Sequence, residues 1–269
     1  MSEELAENDG QFQLPLGGWG RGLWRGILGA LTPAHCLICK VAVQEEPCLC
    51  VECWQKMRFL EEPVCNVMGT AFAYDQGEDS LSAAALASPP AWDRSRAAVV
   101  FDDHSKEIVH AFKYGDRAEA GQFMARMMAR AGRKLVAEAD MLVPVPLHWT
   151  RLWKRRFNQA GYLANAIASA AVKPSEPMLL KRLRATSQQV GLDAEARRKN
   201  MRKAFGLSSG AAEKIKGKAV LLVDDVRTTG ATLSACVEVL KRGGAARVDV
   251  LSFALVDAPF RPHIKEHHG

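Results

Sequence analysis

Residues 220–232 read Val-Leu-Leu-Val-Asp-Asp-Val-Arg-Thr-Thr-Gly-Ala-Thr. The apolar run Val220-Leu-Leu-Val223 predicts a strand buried on both faces, as in a parallel sheet. Asp224 and Asp225 close that strand, and a short loop of Thr and Gly follows. From Leu233 to Arg242 the spacing of Leu233, Val237 and Leu240 predicts a helix. The order strand, acid pair, small-residue loop and helix suits a phosphorylated sugar. Thr and Gly let backbone N–H groups approach a phosphate, and the helix N-terminus adds unpaired donors and partial positive charge. The hydroxyls of Thr228, Thr229 and Thr232 can donate as well. Two carboxylates repel phosphate but accept from sugar hydroxyls or hold Mg²⁺. The stretch therefore wants a phosphate at one end and a diol in the middle, as in a ribose 5-phosphate.

At 269 residues with 48% hydrophobic content, the chain is long enough for one medium or two small globular domains. It has no run of 18 apolar residues, so no membrane span is expected. The first ten residues are acidic and polar, unlike a signal peptide, which predicts a cytoplasmic protein. In that setting the seven cysteines argue for metal or free thiols over disulfides. The net charge of +6 is unevenly spread: residues 151–203 hold 13 Lys+Arg against 3 Asp+Glu. Such a block implies an anionic partner, either small-molecule phosphates or a nucleic-acid backbone.

Cys36-Leu-Ile-Cys39 and Cys50-Val-Glu-Cys53 stand ten residues apart. Paired knuckles of this kind present four thiolates tetrahedrally, the preference of a structural Zn²⁺. Few large apolar residues surround them, so a metal would supply the missing core. Cys48, two residues before Cys50, is an alternative ligand. Cys65 has no partner at knuckle spacing, because Met68 stands where the second cysteine would be. Cys236 falls mid-helix and reads as core.

Along the chain, residues 1–31 read as a tail and an amphipathic helix carrying Trp19 and Trp24, weakened by its glycines. Residues 32–74 form the zinc ribbon, and 75–91, with Pro89 and Pro90, a linker or covering segment. Residues 92–258 alternate strands and helices, which predicts an α/β fold with a mostly parallel sheet; 259–269 is a tail. Within the α/β part, strands are expected at 96–101, 141–145, 179–184 and 247–255. Helices are expected at 104–112, 118–131 and 147–171. Lys113-Tyr-Gly-Asp-Arg117 reads as a turn. Pro144 and Pro146 stiffen the end of one strand, at the sheet edge where ligands sit in open α/β folds. No internal repeat is evident.

The stretch at 220–232 resembles the PRPP (phosphoribosyl pyrophosphate) motif of type I phosphoribosyltransferases. From Cys36 to Val256 the chain resembles the ComF family, proteins related to DNA uptake that join a zinc ribbon to a phosphoribosyltransferase-like domain. The resemblance rests on the four cysteines and the PRPP motif, together with Lys113-Tyr-Gly-Asp116, Val143-Pro-Val-Pro-Leu-His148, Arg156-Phe-Asn-Gln159, Gln189-Val-Gly-Leu192 and Arg197-Arg-Lys-Asn200. Many members carry a second four-cysteine set. Here only Cys65 remains of it, so one zinc is expected, with any second lobe held by Phe72, Tyr74 and their neighbours.

The resemblance implies roles. Thr228, Thr229, Gly230, Ala231 and Thr232 would hold the 5-phosphate. The candidate catalytic pair Asp224 and Asp225 would meet the ribose hydroxyls, directly or through Mg²⁺. Lys113, Val145, Pro146, Arg155 and Arg156 would face the pyrophosphate. The polar segment 186–203, with Gln188, Gln189, Arg197, Arg198 and Asn200, is the candidate flexible loop whose closure excludes water. Asn158 and Gln159 would orient the neighbouring arginines.

Three functions compete. The first is phosphoribosyl transfer from PRPP to an unidentified acceptor; only a short tail follows the last strand, so a base-reading hood would have to be the ribbon. The second is a non-catalytic nucleotide and single-stranded DNA binding module acting in natural transformation, with Trp19, Trp24, Trp54, Trp149 and Trp153 as stacking surfaces. The third is a scaffold among competence proteins with a disused pocket.

Overall fold

The computed structural model describes residues 34–44, 48–77, 80–114, 118–147, 158–183 and 204–256. The amphipathic stretch at 1–31, Trp149, Trp153 and the C-terminal tail lie outside these residues, as does most of the basic block.

Four strands build the sheet: β1 (Ser95–Val100), β2 (Met141–Pro144), β5 (Ala219–Arg227) and β6 (Arg247–Leu255), in the order β1-β6-β5-β2 with every neighbour parallel. As the sequence predicts, β5 is a buried apolar run in the middle of the sheet. It does not stop at the acid pair. Asp224 lies opposite Ser252, Val226 opposite Ala254 and Arg227 opposite Leu255. The ladder to β6 thus carries the strand through the carboxylates. Pro144 is accommodated because β2 lies at a sheet edge; the next donor, Val145 N–H, still reaches the Val223 carbonyl at 2.9 Å. The opposite edge, β1, is covered by the chain leaving the ribbon: Leu60 N–H donates to Ala98 O at 3.0 Å and Val100 N–H to Arg58 O at 2.9 Å.

Helices α3 (Asp103–Tyr114), α4 (Ala118–Ala131), α5 (Arg133–Glu138) and α6 (Gln159–Ala170) accompany β1 and β2, and α8 (Ala231–Arg242) follows β5. One face of the sheet contributes Leu221, Val223, Leu251 and Phe253 to a core with Phe112, Phe123, Met124 and Leu163 from the helices. The other contributes Val220, Leu222, Val248 and Val250, packed on Leu233, Val237 and Leu240 of α8. A short antiparallel ladder, β3 (Leu180–Arg182) with β4 (Phe205–Leu207), brackets residues 183–204, and α7 (Ala211–Ile215) precedes β5.

The ribbon is not an appendage. Cys36, Leu37, Leu49, Cys53 and Met57 share the core of Phe123 and Met124, and α1 (Val51–Lys56) sets Trp54 against Phe59 and Phe123, with ring centroids 4.6 and 6.4 Å away. Trp54 thus leans on its own protein with one side and stays 39% exposed.

The expectation of no internal repeat is corrected here. His35 bridges Ala42, Cys36 N–H donates to Val41 O at 2.8 Å, and Lys40 N–H returns to Cys36 O at 3.2 Å. Twenty-nine residues on, Val64 bridges Ala71, Cys65 N–H donates to Thr70 O at 2.8 Å, and Gly69 N–H returns to Cys65 O at 2.6 Å. Lys40 and Gly69 both have φ 64°. The second turn is the first one rebuilt with Met68 in the place of Cys39. It is held differently from the expectation: Tyr74 is exposed and Phe72 only half-buried. Instead the Cys65 sulfur, fully buried, accepts the N–H groups of Met68 at 3.4 Å and Ser82 at 3.2 Å. Ser82 also caps α2 (Ala83–Ala87), so the covering segment is tied to the turn.

Candidate functional site

At the carboxyl end of the sheet lies a cavity of about 190 Å³, lined among others by Lys113, Val145, Pro146, Asp224, Asp225 and Thr232. All six are residues singled out from sequence, brought together by four different elements. Lys113, expected in a turn, sits in the last turn of α3. Its Nζ lies 2.6 Å from Asp225 Oδ2, with both side chains mostly shielded. Thr228, Thr229, Gly230 and Ala231 form the loop and first helical residue beside the cavity. Thr228 and Thr229 are exposed, and Gly230 is buried with φ 73°, a left-handed turn that hands the strand to α8. Arg155, Arg156, Gln188, Gln189, Arg197, Arg198 and Asn200 lie outside the described residues.

The acid pair is held rigidly. Asp225 N–H donates to Asp224 Oδ1 at 2.9 Å, and Val226 N–H to Asp225 Oδ1 at 2.7 Å. Burial pushes the Asp224 carboxyl up to about 8, and the charge of Asp225 pushes the same way; the Asp225 N–H and Lys113 pull it back without prevailing. In the unfolded chain the group titrates near 3.8. Between these values the folded protein holds a proton that the unfolded chain has lost. The stability this group contributes is therefore present in full below 3.8 and is lost as pH rises toward about 8. Asp224→Asn, which keeps the shape without the charge, is expected to raise Tm most at pH 8 and progressively less toward pH 4. A gap between variant and wild type that is constant with pH would contradict this account.

The sequence reading missed Arg182. It lines the cavity from β3, its guanidinium 5.3 Å over the Phe205 ring of β4. A base-reading hood would have to come from the ribbon, and among the described residues no ribbon side chain lines this cavity. Gln159 is 2% exposed at the start of α6, and neither amide atom has a hydrogen-bond partner. Asn158 reaches the Val145 carbonyl at 3.5 Å with its amide N–H, leaving its Oδ1 unpaired. Unsatisfied amides at a polar cavity are costly unless something else uses them.

The second cluster is the four thiols of Cys36, Cys39, Cys50 and Cys53, whose sulfurs all lie within 4.8 Å of one another. A tetrahedron of Zn–S bonds near 2.3 Å places sulfurs about 3.8 Å apart, so the set fits zinc. Cys48 does not belong to it. Burial pushes the Cys53 thiol up to about 12, helped by the three neighbouring sulfurs. At Cys36 burial acts the same way, yet N–H groups of Cys50, Cys39 and Ile38 outweigh it and bring the thiol down to about 6. Four thiolates in this space need a dication, and a closed four-sulfur set leaves no open position for catalysis. Among the described residues no helix is long and apolar enough to cross a membrane.

Comparison with known proteins agrees with both clusters. The double zinc ribbon domain family matches residues 27–85 and the phosphoribosyl transferase domain family residues 160–266. Competence protein F of Haemophilus influenzae is 28% identical over 211 residues, spanning 77% of this chain and 90% of its own. DNA utilization protein YhgH of Escherichia coli K12 is 28% identical over 221 residues, 80% of this chain and 87% of its own. Among solved structures, orotate phosphoribosyltransferase from Aeropyrum pernix is 18% identical, covers 60% of this chain and 80% of that one, and has a TM-score of 0.33. DNA utilization protein YhgH of Salmonella typhi is 30% identical over 222 residues, 80% of this chain and 87% of its own, and with that match the chain belongs to the ComF family, which joins a zinc ribbon to a phosphoribosyltransferase domain.

Proposed function

We propose that the cavity binds PRPP, or a closely related ribose 5-phosphate compound, together with Mg²⁺, and that the protein transfers its phosphoribosyl group to an acceptor. The observation that carries this is the convergence of Thr232, the acid pair, Lys113 and the Val145-Pro146 turn on one cavity at one sheet end, with the rest of the 228–232 loop adjoining it in sequence. The 5-phosphate sits on the loop and the start of α8, where N–H groups and the helix dipole meet negative charge. Asp224 and Asp225 accept from the ribose hydroxyls. Lys113, held by Asp225 when no ligand is present, turns its charge to the pyrophosphate, and Arg182 adds a second cation to the cavity lining. Mg²⁺, held at the acid pair, would neutralise the charge that develops on the leaving pyrophosphate. The test is calorimetric titration of the zinc-loaded protein with PRPP. Saturable binding that requires Mg²⁺ supports the reading, and no binding overturns it.

A second reading is favoured by the basic block at 151–203 and by relatives named for DNA utilization and competence. In it the same cavity senses a nucleotide while the basic block holds single-stranded DNA. Binding of an oligonucleotide that weakens steeply with salt would support this, and feeble binding already at low salt would remove it.

A further inference from the structure

Arg227 is a charged residue inside the phosphate-loop motif, and it is 3% exposed. Its Nη1 donates to Ser95 Oγ at 2.8 Å, and its Nη2 donates to the Met68 carbonyl. The guanidinium also lies 5.4 Å from the centre of the Trp92 ring. Trp92 in turn donates through Nε1 to the Val67 carbonyl at 2.8 Å. The far edge of its ring fills the space beside Gly230, where a Cβ would come within 2.6 Å. Ser95 Oγ donates to the same Val67 carbonyl at 2.7 Å. Every one of these paths ends on the backbone of the second ribbon turn, at Val67 or Met68. The turn supplies carbonyls, so what matters is its conformation. That conformation is fixed by Gly69 at φ 64°, a position with the Ser95 carbonyl 2.9 Å from any added Cβ, and by the N–H groups on Cys65 sulfur.

We propose that Arg227 is a positioning residue that locks the phosphate loop to the ribbon's single-cysteine turn, so that order in residues 65–70 and anion binding at 228–232 are coupled. The physical case is one of geometry. A planar fork can satisfy two acceptors at fixed directions while stacking on a ring, and burying it next to a loop that must not shift fixes where the loop begins. Burial lowers its pKa to about 10, which leaves it charged at neutral pH. Coupling of this kind is reciprocal: what orders one end orders the other. The ligand half of this inference rests on the PRPP reading above, whereas the loop-to-turn lock does not.

The experiment is hydrogen–deuterium exchange on the full-length, zinc-loaded protein. Arg227→Met keeps the stem and removes the fork. It is expected to speed amide exchange about tenfold or more in both 65–70 and 228–232, while the segment around Cys36 and Cys53 stays at wild-type rates. Arg227→Lys, a point donor that cannot span both acceptors, is expected to fall between. If Arg227→Met does not fold, Ser95→Ala reports instead. Ser95 reaches the loop directly through Arg227 and, more remotely, through the Val67 carbonyl it shares with Trp92 beside Gly230. Both routes tie the loop to the ribbon turn, so faster exchange at 228–232 supports the lock and unchanged exchange there overturns it. Unchanged exchange at 65–70 in a folded Arg227→Met also overturns it. With Mg²⁺ and PRPP added, wild type is expected to slow at 65–70, although the ligand sits at the loop, and Arg227→Met is not. PRPP that binds wild type without slowing 65–70 overturns the coupling. PRPP that fails to bind overturns the pocket reading alone, since the exchange comparison without ligand still decides the lock.

Discussion

Asp224→Ala/Asp225→Ala is expected to abolish the proposed Mg²⁺-dependent PRPP binding at concentrations expected to saturate the wild type. The pair is the sole described source of carboxyl groups on the cavity wall. Asp225, and Asp224 once Mg²⁺ displaces the proton it holds up to about 8, offer charge-assisted hydrogen bonds to a diol or a site for a cation. Such contacts are worth about 1.5–3 kcal/mol each. Losing two costs about 3–6 kcal/mol, or about 100-fold to 10,000-fold in Kd. Lys113 adds to the loss, because without Asp225 at 2.6 Å its ammonium is no longer held at the cavity. The fold is expected to survive, since the backbone of this part of β5 is laddered to β6 and Asp224 is unfavourably buried to begin with. Calorimetry checks the binding, and a melt checks that the variant is folded. Wild-type affinity in a folded double variant would rule out the acid pair as the sugar site.

Zinc removal is the other large effect. A chelator strong enough to strip the four thiols, or Cys36→Ser/Cys53→Ser, is expected to unfold residues 34–57 and to lower Tm of the whole protein. The reason is that the ribbon's buried side chains are shared with the α/β core. Leu37, Leu49 and Met57 lie in one cluster with Phe123 and Met124. At about 1.5–3 kcal/mol for each such side chain, freeing the three exposes about 5–9 kcal/mol of apolar burial as an upper bound. A domain of this size loses about 2–4 °C per kcal/mol, so Tm should fall by at least about 10 °C and at most about 35 °C. Differential scanning calorimetry with metal analysis measures both quantities together. A chelated protein with native Tm would mean that the thiols hold no structural metal.

Much of this was legible beforehand, and for a physical reason. The helix at Ala118–Ala131 and the strand at Arg247–Leu255 match their expected bounds, because long periodic elements write their burial into the sequence. The acid pair and Thr232, singled out for residue type, converge in space with Lys113, Val145 and Pro146, which the family resemblance singled out. What escaped was short or long-range. β4 and α7 have three and five residues, too few for a period to show. The ribbon's second turn shares a single thiol with the first, and its likeness is carried by backbone hydrogen bonds. Arg227 looked like part of a phosphate loop; its partners Ser95 and Met68 lie 132 and 159 positions away, a distance no local pattern spans. The acid pair failed to end β5 because β6 was available to continue the ladder.

The two ribbon turns hold one backbone shape by different means, the first with a four-sulfur cluster and the second with N–H groups on one sulfur. Their responses to metal supply differ accordingly. In a cell starved of zinc, the first turn loses its support, while the second, joined to Arg227 through the Met68 carbonyl, draws on nothing the cell must import. The second turn thus keeps its local shape without metal, although the core it shares with the first turn weakens when zinc is lost.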